Sequence, residues 1–298
     1  MVDATMLNKI SQAPGFIAAL DQSGGSTPGA LRLYGISESD YQVDDEMFRL
    51  IHAMRVRIMS APAFTGDKVI GAILFERTMD GDVEGQDVPS YLWEKRGVVP
   101  FLKIDKGLLE EENGVQLLKP MPDLSALLSR GLEKGMFGTK MRSVIAHADK
   151  AGIAAVVKQQ FEVARQIIEH GLVPIIEPEV LIKSTTKEEA ETVLRDEIAT
   201  QLDKLPAGEK VMLKLTLPTV ADFYAPLVAH ASVIRVVALS GGYHTEDACE
   251  KLSHNHGVIA SFSRALAENL RASMTDAEFN ASLAATIDQI YAASAHKS

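Results

Sequence analysis

Cysteine is nearly absent: the 298 residues contain one, Cys249. A single thiol closes no intrachain disulfide, and a zinc cluster built on several cysteines is excluded. Long apolar runs are missing as well, since no stretch approaches the roughly 18 consecutive apolar residues of a membrane span. Residues 1–10 lack the basic start and apolar stretch of a secretion signal. These absences together point to a reducing cytoplasm. Positive charge is in deficit, 30 Lys+Arg against 40 Asp+Glu for a net charge of -10. That balance argues against a nucleic-acid backbone or an anionic membrane as the main partner, because both attract basic faces. It leaves local basic sites open. No Pro/Gly/Ser-rich linker, charge block or internal repeat divides the chain, so one domain is expected.

What is present is an ordinary globular composition, 46% hydrophobic and 23% charged, which excludes global disorder. Eight short apolar runs alternate with amphipathic segments: Phe16 to Leu20, Val69 to Phe75, Val98 to Ile104, Met136 to Met141, Leu172 to Ile176, Lys210 to Leu217, Val233 to Leu239 and Val258 to Phe262. Several are apolar at nearly every position, as in parallel strands covered on both faces. Between them, Ile153, Val156, Val157, Phe161, Ala164, Ile167 and Ile168 form a helical stripe that stops at Gly171. Thr186 with Glu189, and Thr275 with Glu278, have capping-box spacing at helix starts. The alternation fits an α/β chain. A closed (β/α)8 barrel, the TIM architecture, and a doubly wound open sheet are the two candidates.

The polar residues separate them. In a barrel, reactive side chains gather at the C-terminal ends of the strands. Here Asp21, Glu76, Lys103 with Asp105, Lys140 with Arg142, Glu177 with Glu179, Lys214, Ser240 and Arg264 lie at or beside successive strand ends. A single charge there is a solvated loop residue; one on every strand is what a common mouth requires. The chain is therefore read as a single (β/α)8 barrel domain over 1–298 with short N-terminal and C-terminal helical extensions.

Lys214 is the sharpest position. Period-two alternation puts it on the face of Met212 and Thr216, with Leu213 and Leu215 on the other. A lysine inside an apolar strand is costly unless neutralised or paired. It is either half of a buried ion pair with a carboxylate such as Glu177, or an amine of depressed pKa made nucleophilic by burial and by nearby cations, with Lys103, Lys140 and Arg142 as candidates. Glu177 and Glu179 share a face with Ile175, and two close carboxylates can separate in pKa and supply one proton donor or acceptor. The alternative role for such a carboxylate is to pair and orient Lys214. Ser240-Gly241-Gly242 and Ser261-Phe262-Ser263-Arg264 follow strands seven and eight. Close backbone approach, hydroxyl donors and a forked guanidinium at that place fit a phosphate.

With these residues assembled, the chain resembles class I fructose-bisphosphate aldolases, the Schiff-base type, from Gly15 to about Ala285. The matching segments are Ala19-Leu20-Asp21-Gln22-Ser23, Phe101-Leu102-Lys103-Ile104-Asp105-Lys106-Gly107, Val173-Pro174-Ile175-Ile176-Glu177-Pro178-Glu179, Leu213-Lys214, Leu239-Ser240-Gly241-Gly242 and Ser261-Phe262-Ser263-Arg264-Ala265-Leu266. The resemblance implies that Lys214 is the Schiff-base lysine, Glu177 the main general acid/base, and Asp21 and Lys140 supporting catalytic residues. It implies a sugar-phosphate site of Lys103, Arg142, Glu179, Ser240, Gly241, Gly242, Ser261 and Arg264. It further implies a barrel fold, a small-molecule sugar-phosphate substrate, no metal or other cofactor, and a homo-oligomer. Where the family commonly holds its second phosphate with basic residues, this chain reads Ser26-Thr27-Pro28-Gly29-Ala30, leaving Arg32 and Lys106 as candidates. Ser263 stands where animal relatives have glycine, and the chain ends His296-Lys297-Ser298 without a terminal tyrosine. The pattern resembles the shorter bacterial branch.

The expected activity is reversible cleavage of fructose 1,6-bisphosphate to dihydroxyacetone phosphate and glyceraldehyde 3-phosphate. Alternatives are a Schiff-base aldolase for another ketose phosphate and a non-catalytic sugar-phosphate-binding barrel. A metal-dependent aldolase needs clustered histidines. The chain's eight do not lie on inward strand ends, and His254 and His256 precede strand eight, which places them in a surface loop.

Overall fold

The computed structural model describes residues 2–298. Its eight principal strands are β1 (Phe16–Leu20), β2 (Val69–Leu74), β3 (Val99–Lys103), β4 (Gly138–Ile145), β5 (Val173–Val180), β6 (Val211–Thr216), β7 (Val233–Leu239) and β8 (Val258–Ala260). Each pairs in parallel with the next in chain order. A doubly wound sheet would reverse direction partway. Here the first and last strands meet instead, where the Ala19 N–H donates to the Phe262 carbonyl at 3.1 Å. The result is a single-domain, nearly closed TIM barrel, with β1 and β8 meeting at a seam that carries no strand ladder.

Alternation divides the strand residues between two apolar layers. Ile17, Ala19, Val99, Phe101, Ile175, Met212, Val237 and Ile259 fill the barrel interior. Ala18, Leu20, Leu102, Met141, Ile176, Leu213, Leu215 and Ala238 pack outward into the layer beneath the helices. Helix α1 (Ala4–Gln12) starts where Asp3 Oδ1 accepts from the N–H groups of Thr5 and Met6 at 2.9 and 2.8 Å. It buries Met6 and Ile10 against the interior cluster, so the barrel's floor is closed by apolar side chains. The polar residues further along the same inward faces are therefore confined to the opposite mouth.

The outer ring comprises α2 (Thr27–Tyr34), α3 (Asp44–Ser60), α4 (Leu124–Glu133), α5 (Lys150–Glu169), α6 (Lys187–Leu202), α7 (Thr245–Ser253) and the C-terminal α8 (Asp276–Ala295). The stripe expected on α5 is buried at Ile153, Val156, Val157, Phe161, Ala164 and Ile167. Thr275 and Glu278 cap α8 reciprocally. The corresponding expectation for Thr186 is not met. Its oxygen instead accepts from the Ala148 N–H at 2.9 Å, tying the loop before α5 to the start of α6.

Two strands run further than expected. The fourth was read as Met136 to Met141 and the fifth as Leu172 to Ile176, whereas β4 continues to Ile145 and β5 to Val180. The excursion after β3 folds back so that Val115–Gln116 pairs antiparallel with Ile145 and Val144, extending β4. Glu177 and Glu179 consequently lie within β5, opposite Arg142 and Val144 of β4. Backbone geometry thus fixes both carboxylates more firmly than a loop would.

Candidate active site

Four side chains converge at the mouth, three from strands and Asp21 from the residue just after β1. Lys140 on β4 lies between two carboxylates, its Nζ 2.6 Å from Asp21 Oδ2 and 3.0 Å from Glu177 Oε2. The second contact is off the line of a hydrogen bond, leaving that oxygen of Glu177 without a directed donor. Lys214 on β6 places its Nζ 3.2 Å from the other oxygen, Glu177 Oε1. Lys140, Glu177 and Lys214 are each 3% exposed, and Asp21 is 8% exposed. Of the two readings of Lys214, the structure shows the buried ion pair with Glu177.

Charges at these distances shift one another's titration. Burial pushes the Asp21 carboxyl up, but Lys140, Lys214 and Lys103 together outweigh it and hold Asp21 well below the usual carboxylate range. Burial pushes Lys140 down, and Asp21, Glu177 and Asp105 raise it above an ordinary lysine. Lys140 is therefore a fixed cation and Asp21 a fixed anion at neutral pH. Glu179 is displaced the other way. Burial and the neighbouring Glu177 raise its carboxyl against the opposing charge of Arg142, whose Nη1 lies 2.8 Å away.

Lys103 and Arg142 form the adjoining rim. Lys103 Nζ lies 2.6 Å from Asp105 Oδ1, and the Arg142 backbone N–H donates to Asp105 Oδ2 at 3.2 Å. Glu76, read as part of the common mouth, begins a short helical turn and pairs with Lys106 and Arg130. The strand-end pattern breaks there because β2 turns outward into a helix. Lys106 is thereby paired, and Arg32 pairs with Glu38 at 2.6 Å on an exposed surface.

After β7, Gly241 and Gly242 have φ of +60° and +111°, in the left-handed region that favours glycine. A Cβ on Gly241 would lie 2.6 Å from Ile182, and one on Gly242 would lie 3.6 Å from the Arg264 guanidinium. The Ser240–Gly242 turn thus packs tightly on Ile182 and lies beside the Arg264 guanidinium. Ser240 is buried, Ser261 Oγ is buried without a partner among the described residues, and Arg264 is exposed. Hydroxyl donors beside an exposed guanidinium are groups that can bind an anion.

Sequence reasoning missed two supports. Gln160 on α5 is fully buried and accepts the Glu177 N–H at 2.9 Å, fixing β5 at the residue that reaches both lysines. Arg55 on α3 is 1% exposed, and burial lowers it to about 10 against the opposing charge of Asp21. Both stand inside apolar helical stripes, Gln160 beside Val156 and Phe161, and Arg55 four residues after Ile51. A polar residue on a buried helix face was the available signal. His254 and His256 are exposed, His256 bound to Asp222 at 2.9 Å and His254 to Ser298 at 3.1 Å.

Among the described residues no helix is long and apolar enough to cross a membrane. The chain is similar along almost its whole length to proteins named fructose-bisphosphate aldolase class 1. That from Synechocystis sp. is 58% identical over 288 residues, covering 97% of this chain and 96% of the relative. That from Porphyromonas gingivalis is 57% identical, covering 97% and 98%. That from Clostridium acetobutylicum is 55% identical over 293 residues, covering 98% and 99%. Among solved structures, the fold matches fructose-bisphosphate aldolase from Plasmodium falciparum with a TM-score of 0.80 at 20% identity, covering 99% of this chain and 95% of that one. It matches an archaeal fructose-1,6-bisphosphate aldolase, solved with its catalytic lysine bound to the carbinolamine intermediate, with a TM-score of 0.52 at 11% identity, covering 96% and 99%. At those identities the structures attest the barrel alone. The family model described as fructose-bisphosphate aldolase class-I matches residues 8–221, and with the curated relatives it settles the assignment: this chain belongs to the class I fructose-bisphosphate aldolases, lyases that work through a Schiff base.

Proposed function

We propose that Lys214 is the residue that forms the Schiff base, with Glu177 as its proton partner and Asp21 and Lys140 as a charged frame around the reacting carbons. The observation that carries the proposal is the 3.2 Å contact between Lys214 Nζ and Glu177 Oε1, both nearly inaccessible to solvent. Other lysines at the mouth are engaged: Lys140 lies between two carboxylates, and Lys103 is bonded to Asp105. Lys214 has one carboxylate, and that one can take or return a proton.

Glu177 takes a proton from the Lys214 ammonium beside it, and the freed amine attacks the C2 carbonyl of fructose 1,6-bisphosphate to give a carbinolamine. Glu177 protonates the departing hydroxyl, water leaves, and an iminium remains. A carboxylate then takes the C4 hydroxyl proton as the C3–C4 bond breaks. The bonding pair passes into the iminium, and glyceraldehyde 3-phosphate departs. Protonation of the resulting enamine at C3 and hydrolysis of the iminium release dihydroxyacetone phosphate and restore Lys214. Fixed charges around the reacting centre need no reorganisation during these steps. The iminium is the electron sink, so the sequence of steps calls on no cofactor. Among the described residues no three His, Cys, Asp or Glu side chains converge as ligands for a metal.

Ser240, Gly241, Gly242, Ser261 and Arg264 hold the C1 phosphate in this reading, while Lys103, Arg142 and Glu179 contact the rest of the substrate. The protein is a cytoplasmic homo-oligomer in the same reading. Cleavage of fructose 1,6-bisphosphate, measured beside fructose 1-phosphate by coupled detection of the triose products, tests the substrate. Faster turnover per KM of the bisphosphate is expected. Equal or greater efficiency with the 1-phosphate would move the assignment to another ketose phosphate, and binding without cleavage of either would refute the catalytic roles.

A further inference from the structure

Arg55 is buried in the wall behind the site and takes no part in the chemistry above. Its Nη1 donates to Thr78 Oγ1 at 2.7 Å, and its Nη2 donates to the main-chain carbonyl of Gln22, the residue after Asp21. A longer contact, 3.4 Å, runs from Nη2 to Gln22 Oε1. A guanidinium carries donors only, so the end of the Gln22 amide that faces it is the oxygen. The other end is the NH2 group, which crosses the β1–β8 seam and donates to Ser263 Oγ at 2.7 Å. Ser263 therefore accepts on that side, and its one hydroxyl proton is left for a different acceptor.

Among the described residues the Ser263 hydroxyl donates to no acceptor. A serine immediately before a helical turn commonly caps it by accepting a backbone N–H. Ser263 precedes the turn Arg264–Ala267, yet its side chain makes no capping bond. Among the described residues Gln22 is its sole hydrogen-bond partner. Its neighbours in the chain are Arg264 and, two residues back, Ser261 with its own unpartnered buried hydroxyl.

We infer that the Ser263 hydroxyl is an additional donor to the C1 phosphate, and that Arg55 is a positioning residue that fixes, through Gln22, the direction in which Ser263 donates. The inference rests on the phosphate-cradle reading of Ser240, Ser261 and Arg264. A phosphate oxygen only accepts, so a hydroxyl free to turn its proton toward Gln22 would present lone pairs to the anion. Holding the NH2 group of Gln22 against Ser263 removes that orientation. A donor to a charged acceptor is worth about tenfold or more in affinity.

Arg55→Met removes two buried hydrogen bonds and can prevent folding, so Ser263→Gly and Gln22→Glu carry the test. A carboxylate at position 22 still accepts from Arg55 but cannot donate to Ser263, and it draws the hydroxyl proton away from the ligand. The KM for fructose 1,6-bisphosphate and the inhibition constant of inorganic phosphate are measured for wild type, both variants and the double variant, with urea midpoints alongside. Each single variant is expected to raise both constants about tenfold, with no lowered midpoint for Gln22→Glu. In the Ser263→Gly background, Gln22→Glu should add less than about threefold, the part due to charge repulsion through space. Ser263→Gly within twofold of wild type, or a full additional effect of Gln22→Glu in the glycine background, would overturn the inference. Borohydride trapping of the wild type reports separately on Lys214. A missing adduct there would remove the Schiff-base reading, while the phosphate constants would still decide the role of Ser263.

Discussion

Lys140 shows why the site is held as one charged unit. Its ammonium is shared by Asp21 and Glu177, whose strands are not neighbours in the barrel. Removal of either partner would leave a buried charge uncompensated, whereas the intact set balances its own desolvation. The linkage has a sign. Asp21 is depressed in the folded state, so its contribution to stability is complete above the unfolded carboxylate pKa near 4 and is lost as pH falls through the lower folded value. Lys140 is raised, so its contribution is complete below an unfolded lysine pKa near 10.4 and is lost as pH rises through the higher folded value. Between those limits the pair adds no pH dependence. Urea unfolding at pH 7 and pH 3 should show wild type losing about 1 kcal/mol more than Asp21→Asn across that interval. Equal losses would mean that Asp21 is not ionised by its neighbours.

At the scale of single elements, β5 departs most from what the sequence leads one to expect. Two prolines, Pro174 and Pro178, interrupt an apolar run, and Glu177 and Glu179 make its second half polar. Both features read as a strand ending at Ile176. The strand persists because β4 accompanies it to Val180, while β6 pairs with it only at Ile175 and Ile176. Beyond that point β5 has one ladder neighbour, and proline is tolerated on such an edge. Thr216 Oγ1 of β6 then donates to the Val180 carbonyl at 2.7 Å in a buried setting, bridging the strands where their ladder has parted. Thr216→Val keeps the shape and removes that donor. A loss of about 1–3 kcal/mol in unfolding free energy is expected, and a change under about 0.5 kcal/mol would show that the carbonyl finds another partner. The buried pairing of Lys214 was legible because a lysine in an apolar strand must be paired or neutralised, and the closed order of strands was legible from the polar residues at their ends. The excursion that lengthens β4 was not, since the pairing of Val115–Gln116 depends on a contact distant in sequence. Nor was the seam network of Arg55, Gln22 and Ser263, which joins three segments that no local pattern connects.

Across the whole molecule, a net charge of -10 coexists with a mouth where Lys103, Lys140, Arg142 and Lys214 stand paired with Asp105, Asp21, Glu177 and Glu179 and Arg264 is exposed. The overall balance repels an anionic sugar phosphate at long range, and in the proposed reading the mouth attracts it at short range. Raising sodium chloride from about 20 to about 300 mM shortens the screening length. If the mouth governs encounter, kcat/KM for fructose 1,6-bisphosphate falls with salt; if the overall charge governs it, kcat/KM rises. The fall is expected, because clefts focus the field of the charges lining them. The floor sealed by α1 and the polar mouth leave one end of the barrel for chemistry, and of its lysines Lys214 alone is proposed to bond covalently to substrate. Borohydride reduction in the presence of dihydroxyacetone phosphate, followed by peptide mass mapping, tests that claim most directly. The account predicts one substrate-dependent adduct, on Lys214, that disappears in Lys214→Ala together with turnover. An adduct on Lys103 or Lys140, or full turnover by Lys214→Ala, would contradict it.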